Sequence, residues 1–262
     1  MKGYITVVAM ACIFLACAQT QDKNHTAAID QVVTEEPNPQ YSSILKQHIP
    51  DSAAIDFIPA YDKLKSKITA KRNVFFQAYE RVQTEHEKQI VLDSANKFLQ
   101  EALVNNVFPF WYGTAWDFNG TTDNPQRGYI ACGYFVSTTL KHCGVNLNRY
   151  KVAQQYSHSI VKTVCSEVAV YTNTTDLLNA LKAKPNQLYV IGLDNHVGFI
   201  AKTDAGITFI HASYFGDAVV ESESAAESQI LAMSKKYVIG NLSGNKDLIK
   251  QWLKNSAVSI IP

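Results

Sequence analysis

A thiol and two imidazoles are the side chains of this sequence best suited to covalent chemistry. Cys132 falls where a turn-rich stretch passes into the helical pattern ACGYFVSTTLKHCG. Backbone N–H groups at a helix start, with the positive end of the dipole, favour a thiolate. An ordinary Cys titrates near ~8.5, so a nucleophile at neutral pH needs that help or a nearby imidazole. The plain alternative is a core Cys on an apolar helix face, since free Cys is often buried. His196 opens one strand-like run, HVGFIAK, and His211 lies near the end of the next, ITFIHAS. If Asp204-Ala205 is a two-residue loop, Thr203 pairs with Gly206 and His211 lies opposite Gly198. Gly198 shares a face with His196, because side chains alternate along a strand. The imidazoles are then diagonal neighbours on one sheet face. A three-residue loop would put them on opposite faces. A thiol delivered by a helix, a base and an orienting group are the parts of nucleophilic acyl transfer.

The other histidines and cysteines fit this chemistry less well. His142 and Cys143 lie at the far end of the helix that Cys132 opens. At ~1.5 Å rise they are about 15 and 16 Å from Cys132, too far to act as base or to close a disulfide. His158 has no chemical neighbour in its helical pattern, and His25, His48 and His86 lie outside the strand-rich part. Asp194 and Asn195 precede His196 in an expected turn. Of the five cysteines, Cys12 and Cys17 belong to the leader, and Cys132, Cys143 and Cys165 remain. An odd number in an exported chain points to a free thiol. No CxxC pair and no His/Cys cluster at zinc spacing is present, so no metal site and no cofactor is expected.

The elements that position these groups are helical first and strand-rich later. Leu64, Ile68, Phe75, Tyr79 and Val82 recur at helical spacing, as do Ile90, Val91, Phe98, Leu99, Ala102 and Leu103. From Phe108 the sequence becomes aromatic and turn-rich, PFWYGTAWDFNGTTDNPQRG. The nucleophile helix follows, stopped at Gly144, with further helices expected at about 151–161 and 175–181. LYVIGL, HVGFIAK and ITFIHAS then read as strands, Tyr237-Val238-Ile239 as another, and 245–254 as a final helix. Helices followed by antiparallel strands indicate an α+β fold.

The start of the chain reads as a leader. Met1-Lys2 precedes an apolar run from Ile5 to Ala16, shorter than the roughly 20 residues a membrane span needs. Phe14-Leu15-Ala16-Cys17 is similar to the lipobox of bacterial lipoproteins, in which the Cys is lipidated; ordinary cleavage near Ala16 or Ala18 is the alternative. The expected division is a signal peptide over 1–17, a tether over 18–40, a helical region over 41–94 and the catalytic domain over 95–262. Lys+Arg 24 against Asp+Glu 23 gives a formal net charge of +1, which argues against a nucleic-acid binder.

Together these motifs resemble the NlpC-type papain-like cysteine peptidases, bacterial cell-wall endopeptidases and amidases, over about residues 95–215. Ala131-Cys132-Gly133-Tyr134-Phe135-Val136 stands where that superfamily has Asp-Cys-Ser-Gly, then Phe and a β-branched residue. His196-Val197-Gly198-Phe199-Ile200 stands where it has His-Val-Gly-Ile-Tyr, and Phe209-Ile210-His211-Ala212 matches its third polar position. Phe110-Trp111-Tyr112-Gly113 resembles its Tyr-x-Trp-Gly segment. Ala131, Gly133 and the insert WDFNGTTDNPQ depart from the pattern. The resemblance implies a papain-like domain in which His196 deprotonates Cys132 and His211 orients His196. The Cys132 N–H and the Tyr112 hydroxyl would bind the oxyanion. Trp111, Trp116 and Tyr129 would line a groove for a glycan or peptide strand, or pack in the core. The expected substrate is the peptidoglycan stem peptide, met by a monomer held at the envelope through Cys17. The same chemistry on a protein or lipid acyl group, or a non-catalytic binding lipoprotein, are the alternatives.

Overall fold

The computed structural model describes residues 57–262, so Cys17, the leader and the tether lie outside the described residues. Helix α1 (Ile58–Arg81) buries Tyr61, Ile68 and Phe75 along one stripe. Helix α2 (Glu85–Glu101) starts in a capping box: Thr84 Oγ1 accepts the Glu87 N–H, and the Glu87 carboxylate accepts the Thr84 N–H. A π-helical turn (Ala102–Val107) follows, and the Phe108 N–H reaches back to Leu103 O. Pro109, in the short α3 (Phe108–Trp111), has no N–H with which to continue the ladder. The boundary expected between 94 and 95 falls inside α2, because the buried stripe Val91, Leu92, Ala95 and Leu99 needs one unbroken helix to stay on one face.

Two short parallel strands, β1 (Ala115–Trp116) and β2 (Tyr129–Ile130), bracket the insert and lead into α4 (Cys132–His142). Gly144, at φ +86°, ends that helix as the sequence requires. The helix expected over 151–161 is two: α5 (Arg149–Ala153) and α6 (Ser157–Val164). Asn148 caps the first of them, its side chain accepting the Lys151 N–H, and the chain turns at Gln154–Tyr156.

The remaining elements are β3 (Ser166–Tyr171), α7 (Thr174–Ala183), β4 (Leu188–Gly192), β5 (Val197–Thr203), β6 (Gly206–Ala212), β7 (Val220–Ser224), α8 (Gln229–Met233), β8 (Tyr237–Asn241) and α9 (Lys246–Lys254). Six strands form one antiparallel sheet in the order β3-β8-β4-β5-β6-β7. The fold is α+β. One sheet face packs on α4: Phe135 meets Phe199 at 5.9 Å, and Phe108 meets Phe199 at 4.7 Å. Truncating a buried ring such as Phe135 typically costs ~3–5 kcal/mol. The other face carries Tyr189, Ile191, Ile200, Phe209 and Ile239 against Leu177 and Leu181 of α7 and Leu231 of α8.

Candidate active site

Cys132 is the first residue of α4. Its N-cap, Ala131, offers no side-chain acceptor, so the first-turn N–H groups remain available. The backbone N–H groups of Val197, Gly133 and Cys132 itself act on the sulfur and favour its ionised form. Val197 opens β5 and follows His196 directly, so the helix start and the start of β5 meet at the sulfur. Burial nevertheless dominates and pushes the Cys132 thiol above its ordinary range. The helix-start donors therefore do not by themselves yield a resting thiolate.

His196 and His211 stand as the two-residue loop requires. Thr203 pairs with Gly206, and β5 and β6 keep that register throughout. The two rings lie 5.1 Å apart, with His196 Nε2 3.0 Å from His211 Nδ1. Gly198 makes this possible: a Cβ there would sit 2.7 Å from Phe209 Cε2 and 2.8 Å from His211 Cβ. His211 stacks on Phe209 at 3.9 Å, on the face opposite the one that Phe199 gives to α4. Val197, whose N–H acts on the sulfur, directly follows His196 at the N-terminal end of β5, where the hairpin closes with the Leu193 N–H donating to His196 O.

His196 is buried, and its Nδ1 has no hydrogen bond. Burial holds it well below the ordinary imidazole range, and the repulsion it would meet from His211 were both rings charged lowers it further, so it is neutral at pH 7. Beyond His211 lies a residue the sequence did not announce. Glu223 Oε1 is 3.1 Å from His211 Nε2, and that bond keeps its carboxyl below the usual range. His211, Glu221 and Glu223 bring three ligand-type atoms within 4.8 Å of one another.

Tyr214 is the second residue missed. It sits in the β6–β7 loop, where Ser213 Oγ accepts the Phe215 N–H and donates to Phe215 O. Its ring stands 5.3 Å from His196 and 6.0 Å from Trp116. Burial, then the nearby Cys132 and Asp194 charges, push its phenol up. Asp194 is itself fixed by the Lys235 N–H at 2.7 Å.

Of the aromatic residues expected at the site, Trp116 joins it through Tyr214, and Tyr129, which pairs with Ala115 on β1, is exposed. Trp111 does not line a groove. It is fully buried, its Nε1–H donates to Tyr61 Oη at 2.8 Å, and its ring faces Phe135 and His142. An indole N–H with an internal partner belongs to the core. Tyr112 is half-buried and its hydroxyl is engaged by the Ser222 side chain. His142 bonds Tyr61 Oη at 3.0 Å, and His158 stacks on Tyr156. Cys143 and Cys165 are free and buried. The insert is held by Arg149, which donates to Thr121 O, Thr122 O and, on α4, Thr138 Oγ1.

No protein-family model, curated protein or solved structure matches this chain. Among the described residues, no helix is long and apolar enough to cross a membrane.

Proposed function

We propose that this chain is an exported cysteine hydrolase of papain-like, NlpC-type fold that cleaves an amide bond by acyl transfer. The observation that carries the reading is the hydrogen-bonded line Glu223–His211–His196, whose two imidazoles are buried. It ends in an unbonded Nδ1 on the residue before Val197, whose N–H acts on the Cys132 sulfur. His196 Nδ1 takes the thiol proton as Sγ attacks the substrate carbonyl and the S–C bond forms. The first-turn N–H groups of α4 and the Tyr214 hydroxyl stabilise the oxyanion. His196 then gives the proton to the leaving amine as the C–N bond breaks. Water, deprotonated by the same imidazole, hydrolyses the thioester and restores the thiol. Trp116, Tyr214 and Tyr129 suit an extended peptide or glycan beside the nucleophile, so the stem peptide of peptidoglycan is the proposed substrate. The chain acts as a monomer at the cell envelope, anchored through Cys17.

The test is digestion of purified sacculi, with mass spectrometry of the released fragments. The wild-type chain should release peptide fragments, and Cys132→Ala should release none. His196→Ala should lose ~100- to 10,000-fold in rate, the usual size of general-base catalysis. His211→Asn, which keeps a hydrogen-bonding group, should lose less than His211→Ala. Equal release by wild type and Cys132→Ala would refute the nucleophile.

A further inference from the structure

His211 bridges two partners, one on each ring nitrogen. His196 Nε2 lies 3.0 Å from its Nδ1, and Glu223 Oε1 lies 3.1 Å from its Nε2. A neutral imidazole has one N–H, and its position is set by the partner that can only accept. An ionised carboxylate is such a partner. Glu223 pairs with Phe209 across β6 and β7, which sends its side chain to the same sheet face as His211. Its carboxylate also accepts from the Ser228 side chain. Ser228 is in turn fixed at the start of α8, where its Oγ accepts the Leu231 N–H at 3.2 Å. Glu221 pairs directly with His211, but its Oε1 stands off at 3.9 Å.

We infer that Glu223 is a positioning residue that sets the tautomer of both imidazoles. Its carboxylate accepts the His211 Nε2–H, which leaves His211 Nδ1 as a lone pair. That lone pair accepts the His196 Nε2–H. His196 Nδ1 is thereby left unprotonated, and it is this nitrogen that makes no hydrogen bond. The reverse pattern would set a lone pair against a carboxylate oxygen. It would also leave a buried N–H at His196 with no acceptor. When His196 takes a proton at Nδ1, both of its nitrogens carry hydrogen. The imidazolium is then stabilised through His211 by the Glu223 charge, with no proton moving to the carboxylate. The catalytic consequence rests on the acyl-transfer reading; the tautomer pattern does not.

The experiment is 15N NMR of the histidine rings at neutral pH, on the wild-type chain and on Glu223→Gln and Glu221→Gln. In the wild type, His196 and His211 should both be Nε2–H tautomers, and Glu221→Gln should leave that pattern intact. Glu223→Gln places an amide that can donate to His211 Nε2, and should convert both rings wholly or partly to Nδ1–H. Its hydrolysis rate should fall ~10- to 100-fold. That is less than the roughly 10,000-fold seen when the group touching a catalytic base is changed. A wild-type spectrum with His196 protonated at Nδ1 overturns the inference without any variant. So does a Glu223→Gln spectrum identical to the wild type. If the tautomers behave as stated while no form of the chain releases fragments, the inference stands and the hydrolase reading falls.

Discussion

Cys132 rests as a neutral thiol and His196 as a neutral imidazole, and the pH dependence of alkylation measures that state. Burial pushes the thiol up, and the three N–H groups of Val197, Gly133 and Cys132 itself offset only part of it. Burial pushes the imidazole down, and so does the repulsion that two charged rings side by side would suffer. Both displacements oppose a thiolate–imidazolium pair. A thiol titrating at ~8.5 is about 3 % ionised at pH 7, and Cys132 must lie below that fraction. A preformed ion pair, with a thiol pKa of ~3–4, would instead be fully ionised from roughly pH 5 upward. The assay is brief iodoacetamide treatment between roughly pH 5.5 and 8.5, followed by peptide mapping, so that each thiol is followed separately. The Cys132 rate should climb ~tenfold per pH unit with no acid plateau, as thiolate fraction does below its pKa. Cys143 and Cys165, at 0 % and 7 % exposure and pushed up by burial, should stay unlabelled. His196→Ala should keep the same slope, because there is no ion pair to lose. A flat Cys132 rate below pH 7 would refute the reasoning, and so would labelling of Cys143 before Cys132.

Gly198→Ala should cost ~1–3 kcal/mol in urea unfolding, as overpacking does, and should depress hydrolysis by displacing His211. The new Cβ meets Phe209, His211 and Ile210 O at 2.7 to 2.9 Å, and unchanged stability would mean the sheet yields freely there. Acid should destabilise the fold through His142, whose pKa burial pulls down from 6.5 to about 4. The unfolded chain takes up that proton first. The neutral ring's stabilisation is therefore complete above pH 6.5 and is lost as pH falls toward 4, by about 3 kcal/mol. Urea midpoints at neutral and acid pH should show this loss, and His142→Gln should shrink it. Cys17→Ser should move the protein from the membrane to the soluble fraction; unchanged fractionation with normal leader removal would exclude a lipid anchor.

What the sequence disclosed was local. The Asp204-Ala205 loop fixes the β5–β6 register, and a two-residue period then places His196 and His211 without any knowledge of the rest. The helix behind Cys132 and its Gly144 stop are local in the same sense. Contacts between distant segments were not legible. Trp111 looks the same in a sequence whether it lines a groove or a core, and the atom that decides, Tyr61 Oη, belongs to α1. β7 reads Val-Glu-Ser-Glu-Ser and resembles a solvated edge, yet its alternation was the available signal that Glu221 and Glu223 share a face. Tyr214 lay three residues beyond His211, in a loop whose path Ser213 sets. The break between α5 and α6 carries no Pro or Gly to mark it.

The two departures from the motif around the nucleophile follow from the same geometry. Gly133 lies against α5, where a Cβ would come within 2.6 Å of Ala153 O, so Ser cannot stand there without moving a backbone carbonyl. Its N–H meanwhile serves the sulfur. At Ala131, the N-cap, an Asp would accept the N–H of the second or third helical residue. It would also set a negative charge beside a thiol that burial already keeps protonated. With alanine in that place, the helix start keeps its donors for the sulfur and for an oxyanion. The Glu223 carboxylate stands two imidazoles away, where it stabilises a protonated His196 without repelling the thiolate formed in the same step. Under the proposed mechanism, this separation of donors from counter-charge lets a neutral thiol and a buried neutral imidazole exchange a proton only when a substrate carbonyl is there to be attacked.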